Sequence, residues 1–163
     1  MTTVSPDVTL RKVADGDLDA FFAHQQEWEA VHMAAFTAKD PLDRDAFDER
    51  WRRMRTSGDV TVRTVFVDGV VAGHVASWVD PELGAPEVTY WIGREYWGRG
   101  IATVALRAFL DVFAARPLLG RAAADNVASL RVLEKCGFVV VGESRGHANA
   151  RGEEIAEVLL RLD

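Results

Sequence analysis

The sequence contains a single cysteine, Cys136, so a disulfide bond within the chain is excluded, and so is a zinc site built from cysteine ligands. The four histidines are scattered without the spacing typical of metal ligands, and no metal site is predicted. No apolar run approaches the length of a membrane span. The first residues, MTTVSPDVTL, have neither the basic nor the apolar region of a signal peptide. We therefore expect a cytoplasmic protein without a membrane partner.

An excess of positive charge is also missing, since the formal net charge is −6. Binding to nucleic acid needs a basic face, so nucleic acid is not an expected partner. A mildly acidic protein suits a cationic partner such as an amine. The 163 residues, 48% hydrophobic and 27% charged, have the size and composition of one globular unit. We assign residues 1–163 to a single domain.

Hydrophobic periodicity predicts a mixed α/β fold with a hairpin-rich first half. Asp15 is predicted to cap the first helix, Asp68-Gly69 to form a hairpin turn, and Pro117 to end a long helix. A loop is predicted over residues 146–152. The predicted strands span residues 8–13, 60–67, 70–79, 87–93, 118–124, 138–143 and 155–162. The predicted helices are two helices or one broken helix within residues 15–36, and single helices over residues 43–55, 101–113 and 126–136.

The segment WGRG before the long helix predicts an anion site. Gly98 and Gly100 carry no side chains, so a ligand can approach the backbone closely. The first amides of the following helix have no partners within the helix, and the helix dipole adds partial positive charge there. Arg99 adds a formal positive charge. These features suit a pyrophosphate group.

A second segment, NVASLRVLEKCGF, begins another helix after one intervening strand and ends at Gly137-Phe138. Together, WGRGIATVAL and this segment closely resemble the GNAT N-acetyltransferase superfamily, and they are most similar to the branch of ribosomal-protein N-terminal acetyltransferases. The resemblance follows the element order of the whole chain and is sharpest over residues 87–138. It implies a mostly antiparallel, twisted sheet of about seven strands, flanked by helices and splayed where CoA binds.

The resemblance also implies a set of CoA-binding residues. The family signature places a Gln or Arg where this chain has Trp97, a departure that leaves pyrophosphate binding by backbone amides intact. The strand Trp91-Ile92-Gly93 would pair with the amides of pantetheine. Asn126 and Ser129 match an Asn-x-x-Ser motif along the pantetheine arm. The implied cofactor-binding residues are Trp91, Ile92, Gly93, Trp97, Gly98, Arg99, Gly100, Ile101, Ala102, Thr103, Asn126, Ser129 and Arg131.

The catalytic acid and base are less defined. In many relatives the catalytic acid is a tyrosine at the position that Leu133 occupies here. Ser129 is the best substitute for it by position. A hydroxyl in the first turn of a helix also commonly serves only a local hydrogen bond. For the base, the candidate is Glu87 at the start of the central strand. The alternative interpretation is that Glu87 is only a solvated carboxylate at a strand end. The alternatives are Glu27 and Glu29, with Glu82 as a group that could attract a cationic acceptor.

The resemblance implies acetyl transfer from acetyl-CoA, as co-substrate, to a primary amine by direct attack in a ternary complex. The amine-bearing acceptor stays open between a protein N-terminus and a small molecule, and a homodimer stays open as well. Two other functions compete with this one. The first is a CoA-binding, non-catalytic or sensory module, and the second is a transferase for another acyl-CoA such as succinyl-CoA.

Overall fold

The computed structural model describes residues 6–82 and 84–163. No helix within these ranges is both long and apolar enough to cross a bilayer. A short 3-10 helix, Arg94–Tyr96, precedes the long helix α4. The strands are β1 (Val8–Arg11), β2 (Thr61–Val67), β3 (Val70–Asp80), β4 (Ala85–Ile92), β5 (Leu118–Ala123), β6 (Val139–Ala148) and β7 (Glu153–Leu162). The helices are α1 (Asp17–His24), α2 (Trp28–Ala34), α3 (Arg44–Thr56), α4 (Ile101–Val112) and α5 (Val127–Lys135).

The strands form one seven-stranded sheet in the order β1-β2-β3-β4-β5-β7-β6. Every described neighbouring pair is antiparallel except β4 and β5, which are parallel. A parallel pair needs a crossover connection, and α4 supplies it. The mixed α/β class and the mostly antiparallel sheet predicted above are confirmed.

Helices cover both faces of the sheet. On one face, α4 contributes Ile101, Leu106 and Phe109 to the main core, where they meet Val75 and Val88 of the strands. Phe21 of α1 and the α3 residues Phe47 and Trp51 form a second cluster with Ala76 on the opposite face. Because successive strand residues point to opposite faces, Val75 and Ala76 serve different clusters. The result is a three-layer domain whose central strands are buried on both faces.

The Asp68-Gly69 turn joins β2 and β3 as predicted. Both residues have positive φ, 50° at Asp68 and 81° at Gly69. Such φ values suit the right-handed twist of paired strands, which is why Asp-Gly favours a tight hairpin. The backbone amide of Asp7 also donates to Asp68 Oδ1 at 2.9 Å, which ties the start of β1 to the hairpin.

The first helix corrects one prediction. Asp15 does not cap α1; Gly16 is the capping residue and the helix begins at Asp17. Asp15 instead forms an exposed ion pair with Arg55 of α3 at 2.7 Å. The buried carboxylate of Asp17 accepts hydrogen bonds from Arg11, Thr64 and the amide of Ala14. An acidic residue does lie at the start of α1, but it is Asp17, and tertiary contacts with Arg11 and Thr64 hold it there.

Helix α4 ends at Val112 with Phe113 as its C-cap, close to the predicted range 101–113, but Pro117 lies beyond the end and is not the residue that stops the helix. Some strand boundaries differ from the prediction. Strand β4 begins at Ala85, two residues before the predicted start at residue 87. Strand β6 runs through Ala148, so residues 146–148 of the predicted loop 146–152 are strand and a four-residue turn remains. The β6–β7 pairing explains this last difference, because a regular ladder continues to the pair Ala148–Glu153.

Candidate active site

The parallel strands β4 and β5 separate partway along their length. Only two register pairs join them, Glu87 with Leu119 and Val88 with Gly120. Beyond these pairs β4 continues to Ile92 without β5 beside it, although β3 still pairs with it on the other side. One edge of β4 is therefore open to a ligand over its last residues.

The alternation of the backbone identifies which groups face this gap. The Gly93 amide donates to the Ala72 carbonyl at 2.8 Å, so it points toward β3. Backbone groups alternate in direction along a strand, so those of Trp91 also point toward β3, and those of Tyr90 and Ile92 point into the gap. Of the three residues predicted to pair with pantetheine, Ile92 directs its backbone groups into the gap, whereas the groups of Trp91 and the amide of Gly93 point toward β3; Tyr90 also faces the gap.

A cavity of about 650 Å³ fills the space between the free half of β4, the start of α4 and α5. Part of α2 closes one side of it through Ala30 and Met33. Glu87, Gly93 and Arg99 are not among the described residues that line this cavity. The predicted site residues that do line it are Trp91, Ile92, Trp97, Gly98, Gly100, Ile101, Ala102, Thr103, Asn126, Ser129 and Arg131.

The glycine loop presents bare backbone at the start of α4. Gly98 and Gly100 have φ of 74° and 73°, a conformation that favours glycine. A Cβ at either position would meet no described atom within 4 Å, so the surface above both residues is open. Gly100 is the N-cap and makes no side-chain capping bond, which leaves the first-turn amides of α4 available. This geometry suits an anion.

Trp97 joins the loop to the strand. Its indole Nε1 donates to the Ile92 carbonyl at 2.9 Å, and the Arg94 guanidinium lies 4.9 Å from the centre of its ring. Arg94 in turn pairs with Glu29 of α2 at 2.9 Å. The departure from the family's Gln or Arg thus has a structural use, since Trp97 anchors the loop against the open edge of β4.

Asn126 is committed to protein contacts at the start of α5. Its Oδ1 accepts from the Ser129 amide at 3.2 Å, as an N-cap should, and its Nδ2 donates to the Met33 carbonyl at 3.4 Å. Both ends of the amide are therefore used. The prediction that Asn126 begins α5 is confirmed, and Asn126 also holds α2 beside the cavity.

Ser129 is bonded to a residue that the sequence analysis did not single out. The hydroxyl groups of Tyr90 and Ser129 lie 2.7 Å apart, and Tyr90 also donates to the Ser129 carbonyl at 3.2 Å. Burial raises the pKa of Tyr90 to about 12. Leu133, where relatives have tyrosine, is buried in the main core. The alternation of β4 contained a signal for Tyr90, since a phenol sharing a face with Val88 and Ile92 needs a polar partner.

Positive charge at the cavity comes from α5. Arg131 and Lys135 both line it and both are exposed. Arg99 is not a described lining residue, although its guanidinium lies 5.8 Å from the ring centre of Tyr96, which does line the cavity. Lys135 was not expected from the sequence, although its place one helical turn after Arg131 puts both on the same face of α5.

The predicted base candidates lie apart from the cavity or carry other contacts. Glu87 is buried and faces Arg121, with Oε1 and Nε 3.2 Å apart. Glu27 caps α2 by accepting from the Ala30 amide at 2.7 Å. Glu29 pairs with Arg94, as described above, and Glu82 is an exposed residue of the turn before β4. No carboxylate among these four candidates lines the cavity within the described ranges.

Two aromatic residues have opposite surroundings. Trp51 is buried in the core and stacked on Phe21. Trp28 is 72% exposed and stacked on His32 at the outer surface of α2. Cys136 is partly buried, and burial raises the pKa of its thiol.

Comparison with known proteins identifies the fold and the family. The family profile described as "Acetyltransferase (GNAT) domain" matches residues 7–139. Among solved structures, a spermidine N-acetyltransferase from Vibrio cholerae in complex with CoA and spermine is similar in fold. Its TM-score is 0.81 at 18% sequence identity, covering 95% of this chain and 94% of that one.

Two curated bacterial proteins are similar in sequence. "Putative ribosomal N-acetyltransferase YdaF" of Bacillus subtilis (strain 168) is 29% identical over 119 residues, which are 68% of this chain and 65% of that protein. "Uncharacterized N-acetyltransferase p20" of Bacillus licheniformis is 29% identical over 99 residues, which are 58% of this chain and 56% of that protein. The matches thus span roughly three fifths of these relatives.

Proposed function

Because the chain belongs to the GNAT acetyltransferase family, we propose that it transfers the acetyl group of acetyl-CoA to a primary amine. The amine attacks the thioester directly, with both substrates bound. The observation that carries the proposal is the meeting of three features in one cavity. These are the open edge of β4, the uncapped start of α4 with its bare glycine loop, and a pair of cations on α5.

Each feature suits one part of acetyl-CoA. The first-turn amides of α4, from Ile101 to Thr103, suit the pyrophosphate oxygens, because unsatisfied amides and the helix dipole both favour an anion. Arg131 and Lys135 add charge for the phosphates of the nucleotide. The backbone groups of Tyr90 and the amide of Ile92 suit the pantetheine amides as an added strand, while the Ile92 carbonyl already accepts from Trp97.

Ser129 is the proposed proton donor to the leaving sulfur. It lies on α5 across the gap from the free half of β4, and it lines the cavity. No carboxylate base is assigned, because none of the four candidates lines the cavity and Glu87, Glu27 and Glu29 make the contacts described above. The amine proton leaves to water in this proposal, since an amine must be neutral before it attacks.

The acceptor is proposed as a class, a protein N-terminus or a small polyamine. A relative bears the name of a ribosomal N-acetyltransferase, and a structural neighbour was solved with spermine. The net charge of −6 suits either cation. Both acceptors present the same reacting group, a primary amine that must lose a proton.

The test measures binding and turnover separately. Titration calorimetry with CoA reports affinity, and release of free thiol from acetyl-CoA reports transfer to a panel of spermidine, single amino acids and N-terminal peptides. We expect CoA binding and turnover with a member of the panel. Binding without turnover would indicate a non-catalytic module. A faster reaction with succinyl-CoA than with acetyl-CoA would indicate a transferase for another acyl group.

Arg131→Glu tests the location of the CoA site. We expect the Kd for CoA to rise about 10-fold or more, because one favourable charge contact becomes repulsive. The loss should shrink at high salt. Arg53→Glu on α3 is the matched control, because it changes net charge equally at an exposed position that does not line the cavity. Equal losses in both variants would contradict binding along α5.

A further inference from the structure

Tyr90 is the residue at this site that most needs an explanation. It lies in the part of β4 that β5 no longer covers, and its phenol reaches across to α5. Its partner there is Ser129, 39 positions away in sequence, so only the fold brings the two residues into contact. The chain has only one other tyrosine, Tyr96, which lies in the 3-10 helix before the glycine loop.

We propose that Tyr90 is a positioning residue for the acetyl transfer, which holds the Ser129 hydroxyl toward the leaving sulfur and replaces the proton that Ser129 gives up. This inference rests on the proposed function above. It assigns a second hydroxyl to the site where Leu133 leaves the family's tyrosine position aliphatic.

The geometry supports a directed pair of hydroxyl groups. The oxygen atoms of Tyr90 and Ser129 are 2.7 Å apart, which is the ordinary length of an O–H···O hydrogen bond. The phenol has one proton, and in this proposal it lies in the shorter contact, with Ser129 Oγ at 2.7 Å, rather than in the 3.2 Å contact with the Ser129 carbonyl. The serine oxygen then accepts, and the serine proton remains available for a third group. The Ser129 amide is held by Asn126, so the first turn of α5 is itself fixed in place.

The chemistry explains why one hydroxyl is not enough. During transfer the C–N bond forms and the C–S bond breaks, the sulfur takes the electron pair, and the amine nitrogen releases a proton to water. Ser129 alone would become an alkoxide on protonating the sulfur, and an alkoxide is a very strong base. If the Tyr90 proton moves to Ser129 at the same time, the charge ends on a phenolate, which is a much weaker base. Water then reprotonates Tyr90.

The surroundings of Tyr90 keep it in the donating form. Its buried phenol has a raised pKa, so it is protonated throughout the physiological range. Hydrogen bonds in series polarise one another, so donation by Tyr90 makes the Ser129 proton a better donor to sulfur. The pair is thus neutral before reaction and ready to donate when charge develops.

The first test is a double-mutant cycle of Tyr90→Phe, Ser129→Ala and the double variant. We expect each single change to lower kcat by about 10-fold or more, while the KM for acetyl-CoA changes by less than about 3-fold. The double variant should be no slower than Ser129→Ala, because the two groups act as a unit. Ser129→Thr keeps a hydroxyl and should retain most of the activity. Unchanged kcat in Tyr90→Phe, or additive losses, would overturn the proposal.

The second test needs no acceptor and uses fluorine NMR. In a Tyr96→Phe background, incorporation of 3-fluorotyrosine labels Tyr90 alone. We expect CoA to shift this signal differently from desulfo-CoA, which lacks the sulfur, and we expect Ser129→Ala to abolish the difference. Equal shifts with the two ligands would show that Tyr90 does not sense the sulfur and would overturn the proposal. Failure of both ligands to bind would instead refute the proposed CoA site.

A third measurement separates proton supply from plain structural support. Fluorination acidifies the phenol of Tyr90, so the fluorinated protein should lose kcat at a lower pH than the same Tyr96→Phe protein without fluorine. A residue that only supports α5 would change the midpoint of thermal unfolding and leave the pH profile in place. That outcome would limit Tyr90 to a structural role.

Discussion

His74 is a buried imidazole on β3, packed against Phe21 and Trp51 with ring centroids 4.9 and 4.8 Å away. Burial lowers its pKa to about 3, and the positive charge of Arg50 acts in the same direction. Its Nδ1 has no hydrogen-bond partner within the described part of the chain. His74 is therefore neutral in the folded protein at any moderate pH.

This residue predicts a loss of stability in mild acid. Below the ordinary histidine pKa of about 6.5, the unfolded chain takes up a proton that the folded chain refuses, so unfolding becomes more favourable as pH falls. From pH 7.5 to pH 5.5 we expect this group to cost about 1.4 kcal/mol, measured by urea unfolding at each pH. Replacing His74 by phenylalanine should remove this part of the pH dependence of the free energy of unfolding.

The control for His74→Phe is His147→Phe on the exposed edge strand β6. It removes one histidine from the count without touching the buried cluster. We expect His147→Phe to keep the pH dependence of the wild type. If His74→Phe also keeps it, the acid sensitivity arises elsewhere in the protein.

At the scale of elements, α2 depends on contacts from distant segments. The turn between β6 and β7 supplies Arg151, whose Nε donates to the His32 carbonyl at 2.7 Å and whose guanidinium pairs with Asp125. Asn126 bonds to the Met33 carbonyl from the start of α5. A helix of seven residues is too short to be stable alone, so these contacts hold it against the cavity.

Arg151→Ala should loosen this helix. We expect a loss of about 2 kcal/mol in the free energy of unfolding, since bonds from a charged group are removed. Amide exchange should become faster over residues 28–37 and stay unchanged in α4, as measured by mass spectrometry. Arg145→Ala is the matched control, because its pair with Glu154 is exposed and should contribute less than about 1 kcal/mol. Faster exchange throughout the chain would mean that Arg151 supports the whole fold instead.

Element boundaries were predicted best where a local signal was strong. Asp43 caps α3 and Asn126 caps α5, each through a carboxylate or amide oxygen that accepts a backbone amide, as their sequence positions suggested. Gly137, with φ of 97°, follows α5 as predicted. The length of β6 was misjudged, because strand pairing, which no local signal reports, determined it.

At the scale of the whole molecule, ligand binding should stabilise the fold. The proposed site draws on β4, α4 and α5, so CoA binds only when these elements are assembled. At about 100 times its Kd, CoA should add about 2.7 kcal/mol and raise the thermal midpoint by about 5–10 °C in a domain of this size. Scanning calorimetry measures the shift.

Adenosine is the comparison ligand for this experiment, because it lacks both the diphosphate and the pantetheine arm. It should produce little or no shift at the same concentration. An equal shift with adenosine would place the binding energy in the base and contradict a site built on the helix amides of α4.

Part of the structure could be predicted from interactions between residues that are close together in sequence. Gly98 and Gly100 predict backbone that a ligand can approach, and Asp68-Gly69 predicts a hairpin. Apolar periodicity indicates which faces are buried. Each depends on neighbours along the chain, and each appeared as predicted. The divergence of β4 from β5, the pairing of Glu87 with Arg121 and the contact of Tyr90 with Ser129 were decided only in the folded structure. They join residues far apart in sequence, and such contacts depend on the register and packing of the complete sheet.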